Sequence, residues 1–291
     1  MIENQGRRSA ALGTAHEIDL SEGRLRYFER GEGPPVVFVH GLLVNADLWR
    51  AVVPGVAAAG FRCLAPDWPL GSHRVAMPDA DLTPPGVAAL IADFLERLDL
   101  HDVTIVANDT GGAITQILMV NRPDRIGRVV LTPSDCFERF FPPAFASLPY
   151  VARIPGAVWL LAQTLRIRAL HLLPVTFGWV TKRPVPSAVV DSYLQPSRQD
   201  RAVRRDLGRF LRGIHRRHTL AAAEQLPKFD RPVLLVWATE DRLFPFPLAH
   251  RLAELLPNAT VTGVEDSYTF IPEDQPTELT RLIIEFARAT A

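Results

Sequence analysis

The run Val103-Thr104-Ile105-Val106-Ala107 passes directly into Asn108-Asp109-Thr110-Gly111-Gly112, which opens a helical stretch ending near Asn121. A charge-free run rich in β-branched residues suits a strand covered on both faces. Turning from such a strand into a helix within a few residues needs a sharp backbone bend. Ala107, Gly111 and Gly112 are small enough to let the two elements approach. Asp109 then stands at the strand end, where the first amide N–H groups of the helix face incoming negative charge. An aspartate before a helix is also an ordinary N-cap, so its role depends on the rest of the chain.

That remainder repeats the strand–helix alternation. Arg24 to Arg30 alternates apolar and polar side chains, and Pro35 to His40, Phe61 to Pro66, Arg128 to Thr132, Pro232 to Trp237 and Ala259 to Val264 read as further strands. Helices are expected over Asp47 to Ala59, Pro85 to Leu98, Pro247 to Leu256 and Thr277 to Ala289. This rhythm predicts the α/β class, a mostly parallel sheet with crossover helices on both faces. Residues 136–218 break it, being rich in Pro, Phe, Trp and Arg. They read as an inserted helical lid between a first core part, 1–135, and a second, 219–291. Within the insertion, Ile154 to Leu173 is densely apolar with intervening arginines. An apolar face buried over the core explains it better than membrane attachment. Arg198 to Arg217 is markedly basic, with Asp200 and Asp206 its only acids. It reads as a solvated helix face, the alternative being a site for an anionic ligand or acidic partner.

Small residue, any residue, acid, any residue, glycine after a strand is the nucleophile-elbow pattern. An earlier strand ends in His40-Gly41-Leu42, a later one runs into Trp237-Ala238-Thr239-Glu240-Asp241, and Tyr268-Thr269 precedes Asp274-Gln275-Pro276 and the last helix. Together these segments resemble the α/β-hydrolase fold, in its haloalkane dehalogenase and epoxide hydrolase branch. The resemblance implies an eight-stranded, mostly parallel sheet with a helical cap. It implies Asp109 as nucleophile, the Leu42 and Thr110 amides as oxyanion donors, and Asp241 as supporting acid, with Asp135 at a second acid position. His40 would brace its loop.

The family carries Gly-His where this chain has Tyr268-Thr269, so the base position holds Thr269. A hydroxyl cannot exchange a proton near neutral pH as imidazole does. A carboxylate can still displace a halide or open an epoxide to form an ester on itself. Hydrolysing that ester needs an activated water. His73, His215 and His218 are candidate substitutes, with His73 and His218 the foremost, and Tyr150 and Tyr193 in the lid are candidate acids for epoxide opening. Two further positions depart from the dehalogenase pattern: Thr110 replaces a tryptophan and Leu42 an asparagine, both halide donors in the family. The expected activity is hydrolysis of a carbon–halogen, epoxide or ester-like bond in a small or medium hydrophobic molecule, impaired or altered by the missing histidine. The alternatives are a lyase or isomerase with Asp109 as general base, and a non-catalytic binding protein.

The chain has 291 residues, 47% of them hydrophobic, enough for one large core with an insertion. Acids and bases balance at 32 each, so no net field favours nucleic acid. Lys182 and Lys228 are the only lysines, and neither sits in a motif suited to Schiff-base chemistry. Cys63 and Cys136 form no metal-type or disulfide pattern, so no metal and no cofactor is expected. Met1 to Arg8 is polar and lacks the apolar segment of a secretory leader. No run is long and charge-free enough to span a bilayer. The sequence therefore suggests a cytoplasmic protein with a small hydrophobic substrate or ligand and no membrane partner.

Overall fold

The computed structural model describes residues 8–172, 176 and 178–290. Residues 1–7, on which the expectation about a secretory leader falls, and Leu173, the end of the apolar stretch from Ile154, lie outside them. The chain enters through β1 (Thr14–Leu20) and β2 (Gly23–Arg30), an antiparallel hairpin. It continues through β3 (Pro35–Val39), α1 (Val53–Ala58), β4 (Arg62–Pro66) and α2 (Pro84–Arg97). Then come β5 (Val103–Asp109), α3 (Thr110–Asn121) and β6 (Ile126–Ser134). Between β6 and the next strand lie α4 (Leu148–Val151), α5 (Ala157–Thr164), α6 (Ser187–Gln199), α7 (Arg201–Gly213) and α8 (Arg216–Gln225). The sheet resumes with β7 (Val233–Ala238), α9 (Pro247–Leu255) and β8 (Ala259–Val264), and the chain closes with α10 (Ile271–Asp274) and α11 (Pro276–Ala289).

The strands form one sheet in the order β1-β2-β4-β3-β5-β6-β7-β8. β2 meets β4 antiparallel, and every pairing from β4 through β3 to β8 is parallel. β7, Val-Leu-Leu-Val-Trp-Ala, is buried at all six positions, as a central parallel strand covered on both faces must be. β1 was not evident from its sequence. Only Leu20 of its seven residues is buried, so it pairs through its backbone as a polar edge strand and shows no apolar alternation.

The single helix expected over Asp47 to Ala59 is instead a 3-10 turn, Ala46–Trp49, followed by α1. Pro54 is the reason: it has no N–H to bond back, and its ring disfavours continuous helix through the preceding turn. The apolar lid stretch is likewise divided, into α5 and a 3-10 turn over Arg168–Leu172.

A buried polar cluster fastens α6 to the sheet. Arg8 bonds Asp67 through Nε at 3.1 Å and reaches the Ser72 and Ser192 carbonyls at 2.7 and 3.2 Å. Asn45 also donates to the Ser192 carbonyl, at 2.9 Å. Nearby, Arg50 holds Glu273 at 2.5 Å, and the Tyr193 hydroxyl donates to the same carboxylate at 2.8 Å.

Candidate active site

β5 ends at Asp109 with φ 55° and ψ −131°, and α3 begins at the next residue. Positive φ at an L-residue costs about 1–3 kcal/mol, which only well-packed surroundings sustain. The glycines supply that packing. A Cβ on Gly112 would overlap the Ser134 hydroxyl, one on Gly111 would press on the His40 carbonyl, and one on Gly41 would overlap the Asp109 carboxylate. The elbow and the His-Gly loop therefore touch only because neither carries a side chain there.

The Leu42 and Thr110 amides lie where they favour the ionised Asp109 carboxylate. They occupy the positions that the sequence suggests for oxyanion donors. His40 is buried, accepts from the Trp68 amide through Nε2 at 2.9 Å and faces the Gly41 carbonyl through Nδ1 at 2.9 Å. Nδ1 must therefore carry the proton. Burial lowers its pKa to about 4, so the ring is a neutral brace.

Three carboxyl groups gather without a histidine. Burial pushes Asp109 up to about 7, against its two amide donors and assisted by the Asp241 charge. Burial also pushes Asp241 up to about 7, opposed by the Phe244 amide, the Thr269 hydroxyl and the Leu243 amide. Those amides reach Asp241 Oδ1 at 2.6 and 2.7 Å. Thr269 lies close enough to favour the ionised acid, yet its Oγ1 and Asp241 Oδ2 are both buried and neither completes a well-formed hydrogen bond. Asp135 is raised well above the carboxylate range by burial and then by Asp109, with the Thr110 hydroxyl donating to it at 3.1 Å. Both acid positions suggested by the sequence therefore carry a carboxyl beside the elbow.

Asn108, quoted in the elbow motif but given no role there, ties these parts together. Its Nδ2 donates to Thr132 Oγ1 at 2.7 Å and to the Thr269 carbonyl at 2.8 Å. An amide just before the acid, in a strand otherwise apolar, was the available signal: a buried amide needs partners.

Asp109 and Thr110 lie on the wall of an apolar cavity of about 410 Å³. Its far side comes from the segment between β6 and β7, through Phe141, Phe145, Leu148, Leu161 and Leu165. Asp241, Thr269 and Asp135 are not among the lining residues; they stand behind the wall. The Thr110, Thr164 and Thr176 hydroxyls are committed to Asp135, the Leu161 carbonyl and the Leu170 carbonyl. Among the described residues of the wall, no indole or amide side chain stands beside Leu42 to hold a halide.

The alternates suggested by the sequence do not reach this cavity. His73 is buried against Asp206 of α7, 3.2 Å away. His215 caps α8 by accepting from the Arg217 amide, and His218 sits part-buried in that helix, its pKa lowered by burial. Tyr150 points to solvent beside Arg153. Tyr193 is turned the other way by Glu273 and Arg50, a part-buried ion pair with no local sequence signature. The adjacent Leu194 lines the cavity in its place.

The model of the alpha/beta hydrolase fold family matches residues 34–276. Haloalkane dehalogenase 1 of Mycobacterium tuberculosis is 30% identical over 275 residues, covering 88% of this chain and 85% of that protein. A cis-3-alkyl-4-alkyloxetan-2-one decarboxylase of Shewanella oneidensis is 26% identical, covering 94% and 88%. The solved structure of an epoxide hydrolase superposes with a TM-score of 0.81 at 19% identity, covering 96% of this chain and 99% of the other. The sheet order, the elbow and these matches agree: the chain belongs to the alpha/beta hydrolase fold family, in its haloalkane dehalogenase-like branch.

Proposed function

We propose that this hydrolase acts on a small or medium hydrophobic electrophile through Asp109, and that the ester so formed is released slowly. The placement of Asp109 carries this reading: its strained elbow presents it to an apolar cavity, with the Leu42 and Thr110 amides favouring its ionised form. Residues 136–218 would serve as the lid that shapes the substrate space. In the first step an Asp109 oxygen attacks carbon. A C–O bond forms as the bond to the leaving group breaks, and the electron pair departs with that group. In the second, water adds to the ester carbonyl, whose oxyanion the two amides receive. A base must take the proton of that water, and among the described residues no imidazole lines the cavity. Asp241, raised to about 7 and with one unpartnered oxygen, is the residual base. It acts from behind the wall, beside Thr269.

The test is incubation with haloalkanes, epoxides and β-lactones, followed by intact mass and product yield. An adduct mapping to Asp109 supports the reading, whereas fast multiple turnover overturns the slow second step. The lyase or isomerase reading has one observation of its own: a carboxyl near 7 is matched to proton abstraction at neutral pH. It requires solvent deuterium to enter a carbonyl substrate without any adduct. A panel yielding neither adduct, product nor exchange would leave ligand binding as the role.

A further inference from the structure

The described residues leave five large hydrophobic side chains exposed, and all five fall between positions 150 and 167. Tyr150, Ile154, Trp159, Leu160 and Ile167 are each 54–67% accessible. Scattered apolar residues on a surface are unremarkable, but a single cluster marks an interaction face. The sequence led us to expect this apolar stretch to be buried over the core. The structure buries only one side of it. On α5 and its C-cap, Leu161, Thr164 and Leu165 line the Asp109 cavity, while Trp159 and Leu160 face outward.

The charge around this face is of one sign. No Asp or Glu occurs between Glu138 and Asp191. Residues 139–218 hold fourteen Arg and Lys against three acids, and the rest of the chain holds eighteen against twenty-nine. The zero net charge of the whole therefore conceals a cationic insertion on an acidic core. Beside the apolar cluster, an open groove of about 440 Å³ is lined by Ile154, Trp159, Arg201, Arg204, Arg205 and Arg212, with Arg153 at its edge. Among the described residues none of these arginines pairs with a carboxylate. Arg204 and Arg212 donate to backbone carbonyls, and Arg153 lies over the Tyr150 ring.

We propose that this face docks on an anionic lipid surface. The apolar side chains would enter the headgroup region, and the arginines of the groove and rim would meet lipid phosphates. Charge complementarity selects the partner, and the exposed tryptophan and tyrosine suit the interface between water and acyl chains. Because one short helix separates this face from the cavity, docking places the substrate space next to a reservoir of lipophilic molecules. The inference does not depend on the reaction at Asp109.

Flotation of the full chain with phosphatidylcholine vesicles, with and without about a third phosphatidylglycerol, tests it. Binding is expected only with the anionic lipid, weakening as salt rises and accompanied by a blue shift of tryptophan emission that Trp159→Phe removes. The pairs Arg201→Glu/Arg205→Glu and Ile154→Asp/Trp159→Asp should each lower partitioning by more than about tenfold while leaving the melting temperature unchanged. Equal association with neutral vesicles, or none with anionic ones, overturns the proposal. So does binding that both pairs retain. Equal retention on polyglutamate without an emission shift also overturns it, by marking a face for acidic polymers.

Discussion

At the residue scale, Asp109 is set by two conflicts, one of backbone and one of charge. Its φ of 55° is held by contacts that only Gly41, Gly111 and Gly112 permit. Its carboxyl is raised to about 7 because the surrounding protein desolvates it and another acid is near. In the proposed reaction Asp109 attacks in its ionised form. The rate of ester formation should therefore fall about tenfold per pH unit below 7 and level off above it; a profile of adduct growth against pH checks this. Stability carries the same signature. Between about pH 4 and 7 the native Asp109 holds a proton that the unfolded chain has released. Stability is lost as pH rises through that window and is flat above it. Asp109→Asn should thus raise stability by roughly 1–3 kcal/mol at pH 8, and the gain should vanish near pH 4, as read by denaturant melts at the two pH values.

At the scale of elements, the elbow requires α3 to lie against β6 with no room for a methyl group. Gly112→Ala should cost about 2–4 kcal/mol through overlap with Ser134, measured by chemical denaturation. α6 offers a contrasting case. Tyr193→Phe removes a buried hydroxyl from Glu273, which keeps Arg50. A loss of about 1–2 kcal/mol is expected, with adduct formation on epoxides unchanged because the ring does not line the cavity. Reduced epoxide reactivity at equal stability would return Tyr193 to the site.

These elements also show what a sequence reveals. The elbow, the His-Gly loop and the Asp241 loop were legible because tight backbone geometry demands particular residues at fixed spacing, and that demand is local. The direction of Tyr193 was not, since it answers to Arg50 and Glu273, far away in the chain. β1 was illegible because an edge strand pairs through its backbone. The cavity wall was illegible because its residues follow no period. They come from turns and short helices whose placement only the packing of the segment between β6 and β7 fixes.

At the scale of the whole molecule, a chain of zero net charge is divided into a cationic segment and an acidic core, and the acidic core carries three carboxyls around one elbow, those of Asp135 and Asp241 buried and that of Asp109 facing the cavity. Thr269 brings a hydroxyl, not a cation, to Asp241. Thr269→His should supply a cation there. Steady-state product formation should rise by at least about tenfold and the adduct level should fall, despite an overpacking cost of about 1–3 kcal/mol. A thermal melt separates lost folding from lost effect. The most direct measurement is the time course of intact mass during incubation with the most reactive electrophile of the panel, alongside product counted per protein molecule. A single alkyl or acyl increment that accumulates on Asp109 while product stays below about one equivalent is the expected result. Sustained multiple turnover with no adduct, or an adduct that persists in Asp109→Asn, would contradict it.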